Sequence, residues 1–238
     1  MRTEDSRPRI EPVTRAELEA VYGPDGLRRI PAEELPASIT DPGARAFLSE
    51  IGLIDAPNSI VVPEPFPLRA LSEALAPHSP AEYWPTLPNN GADLVEIGRF
   101  ISSVFALDGA TGEVYALGAH QPPTVDGRPA HRSLHSLARC QLAFGAREML
   151  SVVALLEQED IDWCREHLEG FTELYPTYLD EEPDEDGNFP GAPADDEPSR
   201  PSDDEIFAGL ADKLNAVEPG LLDHPVWADI LDEFRYGY

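Results

Sequence analysis

The sequence is poor in positive charge. Of its 238 residues, 17 are Lys or Arg and 45 are Asp or Glu, and Lys213 is the single lysine. The formal net charge is −28. The phosphates of nucleic acids and anionic membrane surfaces repel such a chain, so nucleic-acid binding and attachment to membranes are not expected functions. A basic partner is favoured.

Cysteine and long apolar runs are also scarce. Cys140 and Cys164 stand 24 residues apart, without the CxxC spacing of zinc sites or disulfide frameworks. We expect both to be reduced, buried thiols. The longest strongly apolar run, 152–156, is too short to cross a membrane, and the first 20 residues have no apolar segment of signal-peptide length. The sequence therefore predicts a soluble, cytoplasmic protein.

Two helices are predicted in the first fifty residues. Thr14 and Glu17 form a capping box for the first, which ends by Gly23. A second helix begins near Pro42 and is closed by Gly52. Weaker signals predict a short strand at 27–30, a strand at 60–62, a helical turn at 68–75 and a loop at 76–91.

The pattern changes to that of strands after residue 90. Three runs of β-branched and aromatic residues lie at 94–98, 103–108 and 113–117. The last two are joined by the turn Gly-Ala-Thr-Gly at 109–112, which is typical of a hairpin. The sequence therefore predicts an antiparallel meander.

Helical spacing returns in the second half of the chain. A long helix begins at Ser133 or Ser136 and extends to Leu156, and we leave open a break near Gly145. A further helical stretch covers 160–168.

An abrupt change in composition follows. Residues 180–205 contain 12 acids, five prolines and one cation, Arg200, so we expect a mobile acidic loop. The apolar helices of 206–238 need a core and should pack back on the main domain. The predicted organisation is a body of 1–179, an acidic loop of 180–205 and C-terminal helices of 206–238.

Three patterns in the sequence resemble metal or catalytic sites. His131 and His135 have the i, i+4 spacing of metal ligands on a helix, and His120 is a nearby third ligand, but we favour surface histidines without a metal. Residues 182–187 resemble the start of an EF-hand loop, yet its twelfth position is Pro193 instead of Glu.

The paired carboxylates of Asp108 and Glu113 are explained by turn chemistry. The nucleophile and nucleotide-binding motifs GxSxG, GxGxxG and GxxxxGK[ST] do not occur. We therefore expect no catalysis, no cofactor and no metal.

A series of short motifs runs through the chain in a fixed order. They are FLSEIGL at 47–53, LVEIG at 94–98, VFALDGATGEVY at 104–115, SLHSL at 133–137 and EPGLLDHPVWADIL at 218–231. In this order they resemble the SUKH superfamily, in its fourth immunity-protein subgroup. Glu218 is a departure, because it stands where the family has Asp before a proline.

This resemblance implies an α+β fold, a mixed or antiparallel sheet flanked by helices, and a single domain. It also implies an immunity protein that neutralises a cognate basic toxin, commonly a nuclease or a nucleic-acid deaminase. We expect a monomer or weak homodimer that contacts the toxin through acids of the loop, and we choose Asp184, Glu185, Asp186, Asp195 and Asp196. The alternatives are a regulatory or scaffold protein of the same fold, or a small metal-dependent hydrolase built on the three histidines.

Overall fold

The computed structural model describes residues 10–56, 59–63, 67–84, 87, 91–100, 103–118, 128–152 and 203–236. Its helices are α1 (Arg15–Tyr22), α2 (Pro42–Ala46, continued by a π-turn at Phe47–Ile51), α3 (Leu71–Ala74), α4 (Pro80–Tyr83), α5 (Leu134–Val152), α6 (Asp203–Val217) and α7 (Pro225–Tyr236). Its strands are β1 (Leu27–Arg28), β2 (Leu53–Ile54), β3 (Val95–Phe100), β4 (Ser103–Leu107) and β5 (Val114–Gly118). The predicted α+β class is confirmed.

The first helices form where capping was predicted. Thr14 accepts a hydrogen bond from the amide of Glu17, and the Glu17 carboxylate accepts one in return. Asp41 caps α2 through the amide of Ala44 at 2.7 Å. Gly52 ends the helix with φ at 100°, which lets the chain turn into β2. β2 then pairs with β1 in an antiparallel ribbon.

The predicted meander is an antiparallel sheet of order β3-β4-β5, covered on both faces. One face carries Ile97, Phe105 and Ala116 into the main core. The other packs against a smaller layer that contains Leu71 and Trp84. Both faces are therefore withdrawn from solvent, as the alternating side chains of β4 and β5 require.

Both edges of this sheet are extended by single bridges. Val62 pairs with Arg99 and Ala70 with Val95 beside β3, and His131 pairs with Val114 beside β5. The strand predicted at 60–62 is thus reduced to one bridge. The backbone contact of His131 is important because it brings that side chain beside the sheet.

The C-terminal helices pack on the body, as predicted. α6 buries Leu210 and Leu214, and α7 buries Trp227 and Ile230 in the same core as α5 and the sheet. Trp227 is fully buried. None of the described helices has the length and apolarity needed to cross a membrane.

Two predicted boundaries are wrong. The loop predicted at 76–91 contains α4, because Ser79 and Glu82 form a capping box around Pro80. The last three residues of the acidic loop predicted at 180–205 are helical, since α6 begins at Asp203. Acids are favoured in the first turn of a helix, where they complement the helix dipole.

The possible break in α5 does not occur, because the helix runs through Gly145 without interruption. A Cβ atom at this position would lie 2.5 Å from the Tyr22 hydroxyl oxygen. That hydroxyl donates to the carbonyl of Gln141 at 2.5 Å. Because Gly145 has no side chain, α1 can pack closely against α5 at this position. The helix predicted at 160–168 lies outside the described residues.

Candidate functional site

All five predicted contact residues lie outside the described part of the chain. They are Asp184, Glu185, Asp186, Asp195 and Asp196. His120, Cys164 and the EF-hand-like residues 182–187 also lie outside it. What the structure does describe is a buried polar network and the charge of the body surface.

The polar network joins the start of α5 to the C-terminal helices. His131 and Ser136 are fully buried, and Nδ1 of His131 lies 2.9 Å from Oγ of Ser136. The Ser136 hydroxyl donates to Glu218 at 2.5 Å. Glu218 also accepts from Nε of Arg132 at 2.9 Å. On the other side of His131, the indole Nε1 of Trp227 donates to Nε2 at 3.0 Å.

The donors fix the direction of this chain of hydrogen bonds. An indole nitrogen can only donate, so Nε2 of His131 is the acceptor and Nδ1 carries the proton. Nδ1 then donates to Ser136, and Ser136 donates to Glu218. His131 is therefore neutral.

A serine, a histidine and a carboxylate in contact invite comparison with a hydrolase triad. In a triad the serine donates its proton to the histidine, whereas here Ser136 receives a hydrogen bond from His131 and gives its own to Glu218. Ser136 also has no exposed surface. The network is therefore arranged to join helices and not to attack a substrate.

Burial and hydrogen bonding set the charge of Glu218. Burial by itself raises the pKa of this carboxyl group, but attraction to the His131 ring and hydrogen bonds from Ser136 and the Arg132 amide outweigh burial and lower the pKa to about 2. Burial lowers the pKa of His131, against the opposing attraction of Glu218. Both groups thus favour the state with a charged Glu218 and a neutral His131.

Glu218→Gln is expected to remove part of the stability present at neutral pH. A carboxylate with a depressed folded pKa stabilises the fold above its unfolded pKa of 4.5, and this contribution is lost as pH falls towards about 2. We expect the free energy of unfolding to fall by about 2 kcal/mol at pH 7. Gln places an NH2 group, which cannot accept a hydrogen bond, opposite the donors that face Glu218. Urea unfolding between pH 7 and pH 3 measures this loss, and the gap from wild type should narrow as the pH falls below 4.5.

Glu33→Gln is the matched control, because Glu33 is exposed and its carboxylate has no ion pair with a described residue. Equal losses in the two variants, or a gap that stays constant with pH, would contradict this role of Glu218.

The histidine prediction is wrong for His131, which is buried instead of lying at the surface. His135 is half-buried, accepts from the amide of Val13 at 3.2 Å and packs edge-on against Phe47. His131 and His135 therefore interact with different residues. Among the residues that the structure describes, no group of three His, Cys, Asp or Glu side chains is placed to hold a metal ion.

Two other predictions are confirmed. Asp108 accepts hydrogen bonds from the amides of Ala110 and Thr111, as expected of turn chemistry. Cys140 is buried, and burial raises the pKa of its thiol well above the ordinary value. Neither residue supplies a reactive group.

Several arginines of the body are paired with carboxylates of the protein itself, whereas many of its exposed acids are not paired within the described part of the chain. Five arginines form ion pairs with carboxylates of the chain: Arg15, Arg28, Arg99, Arg132 and Arg139. The exposed acids that make no ion pair with a described residue include Asp25, Glu33, Glu34, Glu50 and Asp93. Such a surface attracts positively charged partners.

The motif residues also prove to be structural. Ser136, Glu218 and Trp227 come from separate motifs of the sequence, and the buried network unites them. The sequence prediction missed this grouping, although it singled out Glu218 as a departure from the family pattern. The motifs could have signalled it, because polar residues in a family's structural motifs often satisfy one another.

Comparison with known proteins supports the family resemblance. The model of the family described as SUKH-4 immunity protein matches residues 13–187. No curated protein and no solved structure was found to match the chain. α6 and α7 follow the matched residues but complete the same core. Since the match covers 175 of the 238 residues, the chain belongs to the SUKH-4 immunity protein family.

Proposed function

We propose that this protein binds and neutralises a cognate bacterial toxin in the cytoplasm, as a monomer or weak homodimer, and has no catalytic activity of its own. Membership in an immunity-protein family carries this proposal. The polar network supports it, because the one Ser-His-Glu grouping found among the described residues has the wrong hydrogen-bond direction for a nucleophile.

The toxin we propose has a basic surface, as a nuclease or a nucleic-acid deaminase would. The net charge of −28 and the unpaired acids of the body support a positively charged partner. An acidic protein can cover the basic surface with which such an enzyme holds its nucleic-acid substrate. Neutralisation would then follow from occlusion.

The test is co-expression with toxins encoded next to this gene. We expect rescue of growth, a complex on size exclusion, and inhibition of the purified toxin at equimolar ratio. A failure to bind or rescue against every neighbouring toxin would overturn the proposal. It would favour a regulatory or scaffold role for the same fold.

We further propose that the acidic segment contacts the toxin, through Asp184, Glu185, Asp186, Asp195 and Asp196. Changing these five to Asn or Gln should lower the association rate at low salt at least about tenfold, because opposite charges steer encounter. The advantage of the wild type should shrink as salt screens the charges. Stopped-flow or biosensor kinetics across a salt series measures both effects.

The matched control neutralises five acids of the body, namely Asp25, Glu33, Glu34, Glu50 and Asp93, all of them exposed. It changes the net charge by the same amount and should slow association less. Equal slowing in both variants would mean that overall charge acts, and not this segment. An affinity independent of salt would contradict electrostatic recognition altogether.

A further inference from the structure

We propose that His131 makes the attachment of the last helix sensitive to acid. Neutral His131 accepts a hydrogen bond from Trp227 of α7, whereas protonated His131 pairs with Glu218 and loses the bond to the Trp227 indole. This proposal concerns the stability of the fold and does not depend on toxin binding. It rests on the geometry around one fully buried imidazole.

The two nitrogens of His131 face partners of opposite kind. Nε2 accepts from the Trp227 indole, whose rings lie edge-on to the imidazole with centroids 5.2 Å apart. An imidazolium carries a proton on both nitrogens and has no acceptor. Protonation would therefore place two N–H groups against each other across 3.0 Å, and the hydrogen bond to Trp227 must break.

The positive charge that protonation gives the ring gains a partner on the Nδ1 side. Oε2 of Glu218 lies 3.7 Å from Nδ1, close enough for an ion pair with an imidazolium. Among the described residues, Glu218 makes the ion-pair contact with the ring, and Arg132 and, on α5, Cys140 interact with Glu218 in turn. The other neighbours are uncharged: the β5 backbone at Val114, the Ser136 hydroxyl and the Trp227 indole of α7.

Protonation of His131 should therefore affect the two C-terminal helices differently. α6 ends at Val217, directly before Glu218, so its end keeps or strengthens its attachment in acid. α7 loses the hydrogen bond of Trp227, its most buried side chain. Acid should therefore loosen 225–236 before 203–217. Burial lowers the pKa of His131, so the change should occur below the usual histidine range.

The experiment follows the Trp227 indole by NMR in the full chain from pH 7.5 down to the onset of acid unfolding. Trp227→Phe assigns its resonance among those of the three tryptophans. We expect one titration step at Trp227, together with hydrogen exchange in 225–236 that accelerates at least about tenfold relative to 203–217, after correction for intrinsic rates. In His131→Gln the step should disappear, since an amide does not titrate.

His78→Gln is the matched control, because the His78 side chain is 57% exposed and should leave the step intact. A step that persists in His131→Gln would assign the effect to another histidine, such as buried His224, and would overturn the proposal. So would an indole resonance that does not change with pH, or loosening of both helices together. If His131→Gln does not fold, imidazole ¹⁵N titration of the wild type decides, since His131 must share the midpoint of Trp227.

Discussion

Trp227→Ala is expected to destabilise the protein by about 5 kcal/mol, enough to bring a domain of ordinary stability close to unfolding. The indole is fully buried, stacks on Phe144 at 5.7 Å and meets Phe105 edge-on at 6.4 Å. Truncation leaves a cavity between α5, α7 and the sheet. It also leaves Nε2 of His131 without its donor, which adds a penalty to the lost packing. Urea unfolding and the yield of soluble protein measure the loss.

Trp227→Phe separates the two contributions. The benzyl ring keeps much of the contact with Phe144 but cannot donate to His131, so we expect a smaller loss of about 1–3 kcal/mol. The exposed neighbour Ala228 provides a control as Ala228→Ser, which should change little. If Trp227→Phe costs as much as Trp227→Ala, the hydrogen bond outweighs the packing. If Trp227→Ala has the same urea midpoint of unfolding as the wild type, the C-terminal helices do not share the core with the body.

Local signals explain which elements could be predicted. The hairpin was predicted correctly because Gly109 and Gly112 specify the turn within a few residues of the strands it joins. The cap of α1 is equally local, since Thr14 and Glu17 satisfy each other. α4 was missed although Ser79 carries the same kind of signal, because a four-residue helix lacks an apolar stripe that would mark it.

The buried network could not be predicted by the same reasoning. His131 and Trp227 are 96 residues apart, and Ser136 and Glu218 are 82 apart. Whether a histidine lies at the surface or in the core depends on which distant helix covers it, and no local sequence pattern indicates which helix that is. The family resemblance placed Ser136, Glu218 and Trp227 in motifs without showing that they meet.

Gly109→Ala is expected to cost about 3 kcal/mol, because the backbone of another segment occupies the space that a side chain needs. A Cβ atom at this position would lie 2.4 Å from the carbonyl oxygen of Ser38 and 2.8 Å from Cα of Ile39. The hairpin turn cannot simply move away. The Gly109 carbonyl accepts from the amides of Thr40 and Asp41 at 2.7 and 2.8 Å, which fixes the turn against the start of α2.

The matched control is Ala110→Ser, which adds one heavy atom to the next residue of the same turn, where the side chain is exposed. It should leave the urea midpoint close to that of the wild type. The contrast tests whether the glycine of the DGATG motif is required for docking between segments or for the turn alone. Equal midpoints for Gly109→Ala and wild type would show that the turn and residues 38–41 can separate without cost, and the motif would then need another explanation. A large loss confined to Gly109→Ala would show that this glycine is required for docking the turn against residues 38–41.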